Sequence, residues 1–287
     1  MKIYSTLLAM LFLLTLTVFS QEEEEGPTPL GPGKGSAAIY LGPVAGFNRA
    51  IHSANLASFA DDPLCPFFTN GSSNGFFIGA FYEQIIGGIT SKHSLVGRVV
   101  FSTMPASFEK EGDTYPSLVD DGKGGYTTIL SSTRHTLDLT YSLLTVEVMY
   151  KFNVAYGLVL TAGPSFDFVL KSHLLQKMEL VEPSNVKFKR VSDSLMQARH
   201  IIRYENNDRT IVTWDGEPAR PTEQNTNVKS NPVRFALKFG VQYEIITGTK
   251  IDIVPGIFYN LGVTNVNNVE SWKVSSIQAG VDIRFTL

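Results

Sequence analysis

The chain has 287 residues, with 24 Lys and Arg against 27 Asp and Glu, a formal charge of −3. A near-neutral chain offers no electrostatic footprint for nucleic acid. The single cysteine, Cys65, excludes an intramolecular disulfide and a Cys-rich zinc site.

The N-terminus reads as a targeting segment. Lys2 precedes an apolar stretch from Leu7 to Phe19 broken only by Thr15 and Thr17, and Val18 and Ser20 suit a cleavage site before Gln21. This is the pattern of a signal peptide over 1–20, too short for the roughly 20 apolar residues of a spanning helix. Residues 21–35, with the acidic run Glu22–Glu25 and a Gly/Pro-rich stretch, read as a flexible periplasmic lead-in that cannot bury apolar surface. Residues 36–287 are then one domain.

Within that domain the recurring pattern is period two, the mark of strands whose side chains point alternately to two faces. Ala37–Asn48 and His93–Met104 alternate, whereas Phe76–Ile86, between them, is apolar on both faces and has no readable orientation. Leu137–Phe152 starts apolar at Leu137, Leu139, Tyr141 and Leu143, then changes phase to Leu144, Val146, Val148, Tyr150 and Phe152. One extra residue shifts such a phase, so a β-bulge is expected near Leu143–Leu144. Tyr156–Leu170 places Leu158, Leu160, Phe166 and Phe168 on one face and Thr161, Ser165 and Asp167 on the other.

The last three strands alternate most clearly. In Val233–Ile245, Val233, Phe235, Leu237, Phe239, Val241 and Tyr243 oppose Arg234, Lys238 and Glu244. Lys250–Val263 sets Ile251, Ile253, Ile257 and Tyr259 against Asp252 and Asn260, and the terminal stretch sets Ile277, Val281, Ile283 and Phe285 against Asp282 and Arg284. Pro43, Pro164 and Pro255 each remove one ladder donor.

Such alternation also suits a soluble sandwich. The length of these segments, about 13 residues, exceeds the usual five or six of globular strands and meets the roughly 9–11 of a tilted membrane strand. The expected fold is therefore all-β, an eight-stranded antiparallel transmembrane β-barrel with long extracellular loops. Connections alternate in length as such barrels require: 49–74 is long, 87–92 short, 105–135 long, 153–155 short, 173–231 very long and 247–249 short, with 264–271 intermediate. An even strand number places both termini in the periplasm.

The residues also resemble a family. Gly75–Phe76–Phe77–Ile78–Gly79, Leu139–Thr140–Tyr141–Ser142–Leu143–Leu144, Met149–Tyr150–Lys151–Phe152, Ala162–Gly163–Pro164, the run from Tyr259 to Val266, and Ile283–Arg284–Phe285 are similar to motifs of the outer-membrane β-barrel domain family of Gram-negative bacteria. That family includes PorT-like proteins and small OmpA-type barrels. The resemblance spans Gly35 to Leu287. Family members often carry Glu-Pro in the fourth strand, where Leu143 and Thr145 stand here, and often end on the aromatic that Thr286–Leu287 follow here. It implies an outer-membrane location and outer-membrane lipid as a partner, and assigns no activity.

Inside a barrel of this size there is room for side chains and little else. Asp167, Arg234, Lys238, Glu244, Asp252, Asp282 and Arg284 are expected to project there as a structural charge network that plugs the lumen. No cofactor, metal or nucleic acid is expected. The expected function is non-enzymatic: a structural, surface-interaction or envelope-assembly role through the extracellular loops, with an envelope or surface protein as a possible partner. The alternatives are a narrow channel and a lipid-modifying enzyme. For the latter, His52–Ser53 is the best pair, yet adjacent strand residues face opposite ways and no carboxylate orients the histidine. His135, His173 and His200 read as solvated loop residues, Asp61–Asp62 and Asp120–Asp121 as turn acids, and Gly122–Gly125 as a loop tip. Residues 192–202 suit a short amphipathic helix with Leu195, Met196, Ala198 and Ile202 on its apolar side.

Overall fold

The computed structural model describes residues 39–57, 67–87, 91–198, 201–213, 230–247, 250–267 and 271–286. The expected signal peptide and lead-in, Asp61–Asp62, Cys65 and His200 lie outside the described residues. Among them run β1 (Ile39–Ala57), β2 (Phe67–Ile86), β3 (His93–Thr103), β4 (Ala106–Asp120), β5 (Tyr126–Ala155) and β6 (Leu158–Glu182). A one-turn helix α1 (Asp193–Ala198) precedes β7 (Ile201–Glu205), β8 (Thr210–Thr213), β9 (Val233–Tyr243), β10 (Ile251–Gly262) and β11 (Lys273–Thr286).

Eight of these strands close a ring. The antiparallel neighbours run β1–β2–β3–β5–β6–β9–β10–β11, and β11 returns to β1 through a continuous register from Tyr40↔Thr286 to Ser53↔Lys273. Closure leaves the ring no bare edge, so its ladder donors and acceptors are satisfied within the chain. The eight strands coincide with the eight read from the alternation. Among the described residues, no helix is long and apolar enough to cross a membrane.

Each ring strand turns an exposed apolar row outward. Phe47 is 77 % exposed, and Ile78, Val99, Val148, Leu160, Val241, Ile257 and Ile277 stand out likewise from their strands. Soluble monomers rarely expose apolar surface on this scale. The inward residues are mostly charged, polar or small, beside a cluster of Val44, Phe77, Phe81, Val96, Val100 and Met149, and glycine makes room where rings fold over the wall: a Cβ at Gly280 would come within 2.4 Å of Phe77 Cζ. This settles β2, which the sequence left without orientation. Phe77, Phe81 and Glu83 face in, and Phe76 and Ile78 face out.

The expected bulge at Leu143–Leu144 is corrected. On β5 the odd-numbered residues are buried without interruption from Ser131 to Lys151, and pairing with β3 runs unbroken through Thr103↔Ser142, Ser102↔Leu143 and Phe101↔Leu144. What changes there is the surroundings. Leu137, Leu139, Tyr141 and Leu143 enter an apolar cluster, whereas Thr145, Glu147 and Lys151 enter a polar one. The irregularity lies on the partner strand. Ser142 pairs with Lys171 and Leu143 with Val169, so Leu170 is the extra residue. Burial on β6 switches across it from Thr161, Ser165 and Asp167 to Ser172, Leu174 and Gln176.

The long connections also differ from expectation, because strands continue through much of them. β4 pairs with Tyr126–Leu139 of β5, and Gln176–Glu179 of β6 pairs with β8. These extensions rise above the ring around a small core of Val119, Leu180 and Phe188, packed by Ile129, Met178 and Tyr204. Outside hydrocarbon a strand needs no apolar outer row, so stretches such as Thr127–Thr136 escape a search for greasy alternation. The helix expected over 192–202 is shorter than read: α1 buries no residue, and Ile202 belongs to β7.

Candidate functional site

The barrel interior is stratified, and the inward faces of the eight strands supply its layers. At the rim with the short connections, Lys151 Nζ donates to both oxygens of Glu83 at 2.8 and 2.9 Å and pairs with Glu244 at 2.6 Å. Arg284 bridges Glu244 at 2.7 Å and Asp252 at 2.9 Å, with its guanidinium 4.4 Å from the centre of the Tyr40 ring. Further along the strands, Arg98 pairs with Asp282, which also accepts from Gln242 Nε2 at 2.9 Å. Lys238 pairs with Glu147 at 2.5 Å and lies 4.9 Å from the Phe258 ring centre. The third polar layer is Arg234 donating to Asp167 at 2.7 Å, with the Thr145 hydroxyl donating to the same carboxylate at 2.8 Å.

All seven residues read from the sequence thus lie on the inner face: Asp167, Arg234, Lys238, Glu244, Asp252, Asp282 and Arg284. Four more join them, Glu83, Arg98, Glu147 and Lys151, each at most 3 % exposed. Glu147 and Lys151 were legible, because the outward set Leu144, Val146, Val148 and Tyr150 leaves them no other direction. Glu83 was hidden by the doubly apolar β2. Ion pairs this enclosed add little net stability, but removing one member leaves the other charge uncompensated.

Above Arg234 the lumen becomes apolar. Tyr141, whose ring centre lies 5.3 Å from the Arg234 guanidinium, begins a cluster that includes Met104, Phe108, Leu137, Leu143, Val266 and Trp272. His52 sits fully buried within it. Trp272 Nε1 donates to His52 Nδ1 at 3.1 Å, and His52 Nε2 lies 3.1 Å from the Met104 carbonyl. An indole offers only a donor and a carbonyl only an acceptor, so this arrangement suits the neutral ring carrying its proton on Nε2. Ser53 faces the opposite side of the sheet and is exposed. The two residues therefore do not meet, and His52 has both nitrogens engaged elsewhere.

In the extension, the solvated-loop reading of His135 is corrected. It is 1 % exposed on the inner side of β5, with Nε2 3.0 Å from Thr133 Oγ1. His173 is half-buried on β6. Asp120 and Asp121 are turn acids at the β4–β5 tip, accepting from the backbone N–H groups of Gly122, Lys123 and Gly125. On the outer face Arg134 gathers Glu109, Glu111 and Glu179, a cluster open enough to water to contribute little stability.

No family model matches the chain, and no curated protein matches it. Several solved structures align along most of its length. The attachment invasion locus protein Ail of Yersinia pestis, solved with the heparin analogue sucrose octasulfate, is 10 % identical over 86 % of this chain and 99 % of its own, with a TM-score of 0.32. Neisserial surface protein A is 13 % identical over 88 % of this chain and 99 % of its own, at 0.33. The outer membrane protease OmpT of Escherichia coli is 7 % identical over 89 % and 99 %, at 0.35. Identities and scores this low transfer neither activity nor ligand, and the fold rests on the strand pairing described above.

Proposed function

We propose that this chain is an integral outer-membrane β-barrel, without enzymatic activity, whose sealed lumen supports an extracellular sheet used for surface interaction or envelope assembly. The observation that carries the reading is an inversion of polarity along β5. From Arg134 to Ser142 its outer face is polar while Leu137, Leu139 and Leu143 face in. From Leu144 to Phe152 the outer face is apolar while Glu147 and Lys151 face in. A wall that is polar inside and greasy outside is stable only against hydrocarbon.

The other parts follow from this placement. Tyr40 pairs with Thr286, so the first and last strands reach the same rim, the one with the short connections. In this reading that rim is periplasmic and both termini lie there. The extension at the other rim is the external surface. Paired charges below and the Trp272–Tyr141–Phe108 cluster above favour a plug over the channel. Planar-bilayer recording of the purified protein tests this: the expected trace is silent, and steady conductance overturns the sealed-lumen reading.

A further inference from the structure

The outer wall carries a feature that a uniform lipid annulus does not require. A trough of about 900 Å³ runs across the outside of β1, β11 and β10. Its floor is low because Ala45 and Ala279 stand where neighbouring outward positions hold larger side chains, and Phe47 and Ile78 rise on one side with Tyr243 on the other. Just beyond Phe47, on the side of the long connections, the next outward residue is Arg49. Its register partner Asn74 follows Phe76 in the same way, since Phe47↔Phe76 and Arg49↔Asn74 are successive outward pairs.

The arginine is exposed but held. Nη1 donates to Asn74 Oδ1 at 3.1 Å and Nη2 to Ser72 Oγ at 2.7 Å. A guanidinium has five donors, so most of its fork stays free to receive a tetrahedral oxyanion. Beyond it come the outward pair Ile51↔Ser72 and then the exposed polar pair Ser53↔Asn70, with the exposed Lys273 opposite Ser53 on β11. The order along the wall is therefore an apolar trough, one clamped cation, then a mixed stretch of Ile51, hydroxyls and an amide that ends at a second cation, Lys273.

We infer that this wall binds a phosphorylated acyl glycolipid of the outer leaflet, with an acyl chain in the trough, the phosphate on Arg49 and sugar hydroxyls against the polar residues beyond. The inference rests on the membrane placement proposed above. Charge complementarity selects an anionic headgroup, and two cations, Arg49 and Lys273, set apart along the wall with hydroxyls and an amide between them fit a phosphorylated sugar better than a compact phospholipid head.

Native mass spectrometry of the full-length protein in neutral detergent tests it with three probes: bisphosphorylated lipid A, its dephosphorylated form and phosphatidylglycerol. The expected result is binding of phosphorylated lipid A about tenfold tighter than either of the others, the scale of one charge-assisted contact. Arg49→Gln erases that preference, Arg49→Lys keeps part of it, and Ala279→Phe, which fills the trough, weakens binding with Arg49 intact. Folding of each variant is checked by its heat-modifiable migration in gels. Equal affinities of wild type and Arg49→Gln, or equal binding of phosphatidylglycerol, overturn the inference. Recovery of the protein in a detergent-free soluble fraction, read before any lipid is added, overturns the membrane placement instead.

Discussion

The two halves of the barrel are built from the same strands and follow opposite rules. Toward the long connections, residues such as Leu139, Tyr141 and Trp272 are buried in an apolar core behind a polar outer face, as in a soluble protein. Toward the short connections, Glu147, Lys151, Lys238 and Arg284 are buried inside, beside the Phe77–Met149 cluster, behind exposed Val148, Val241 and Ile283. The crossover falls between Leu143 and Thr145 on β5 without any break in its pleat. Burial alone therefore does not set the interior's composition. The medium outside does: where hydrocarbon takes most of the apolar residues, the lumen holds buried charges that must satisfy one another, beside one apolar cluster of Val44, Phe77, Phe81, Val96, Val100 and Met149.

The sharpest way to break this comparison is to disable each interior by its own chemistry. Trp272→Ala removes a fully buried indole from the apolar half and strands His52 Nδ1, and should cost about 3–5 kcal/mol in urea unfolding from micelles. Asp167→Leu, in the polar half, should cost a similar 3–5 kcal/mol or so by leaving Arg234 uncompensated. Adding Arg234→Leu should restore most of that loss. No recovery in the double variant would mean that the pair does not act as a unit.

Smaller effects test the outer faces. Val148→Arg places a cation in the apolar belt and should cost about 2–4 kcal/mol on folding into lipid vesicles. Thr140→Arg, outward on the same strand but beyond the crossover, should change stability by no more than about 0.5 kcal/mol. Equal costs at the two positions would erase the boundary. Smallest of all, Leu130→Ser in the extension, where Leu130 is 70 % exposed, should fall within about 0.5 kcal/mol by the same unfolding assay.

The sequence made the membrane half legible because lipid enforces strict alternation: Val233–Tyr243 needs no structure to reveal that Arg234 and Lys238 face inward. The apolar half was harder to read. There, water outside and a core inside produce the opposite phase, and on β5 the two phases meet in one strand, which imitates a bulge. The real bulge, at Leu170 on β6, left no such signature, because Phe168, Val169 and Leu170 are all apolar. His52 shows the same limit. A histidine beside a serine suggests chemistry on paper, and only the fold brings Trp272, 220 positions away, to its ring.

The most direct test of the hydrocarbon-facing wall is a spin-label accessibility scan of β5 from Arg134 to Phe152 in lipid vesicles, made in a Cys65→Ser background. Labels at Leu144, Val146, Val148 and Tyr150 should collide with oxygen and be shielded from a water-soluble nickel reagent, and labels at Thr136, Asp138 and Thr140 should show the reverse. Nickel reaching Val146 and Val148 as freely as Thr136 and Asp138 would contradict the account.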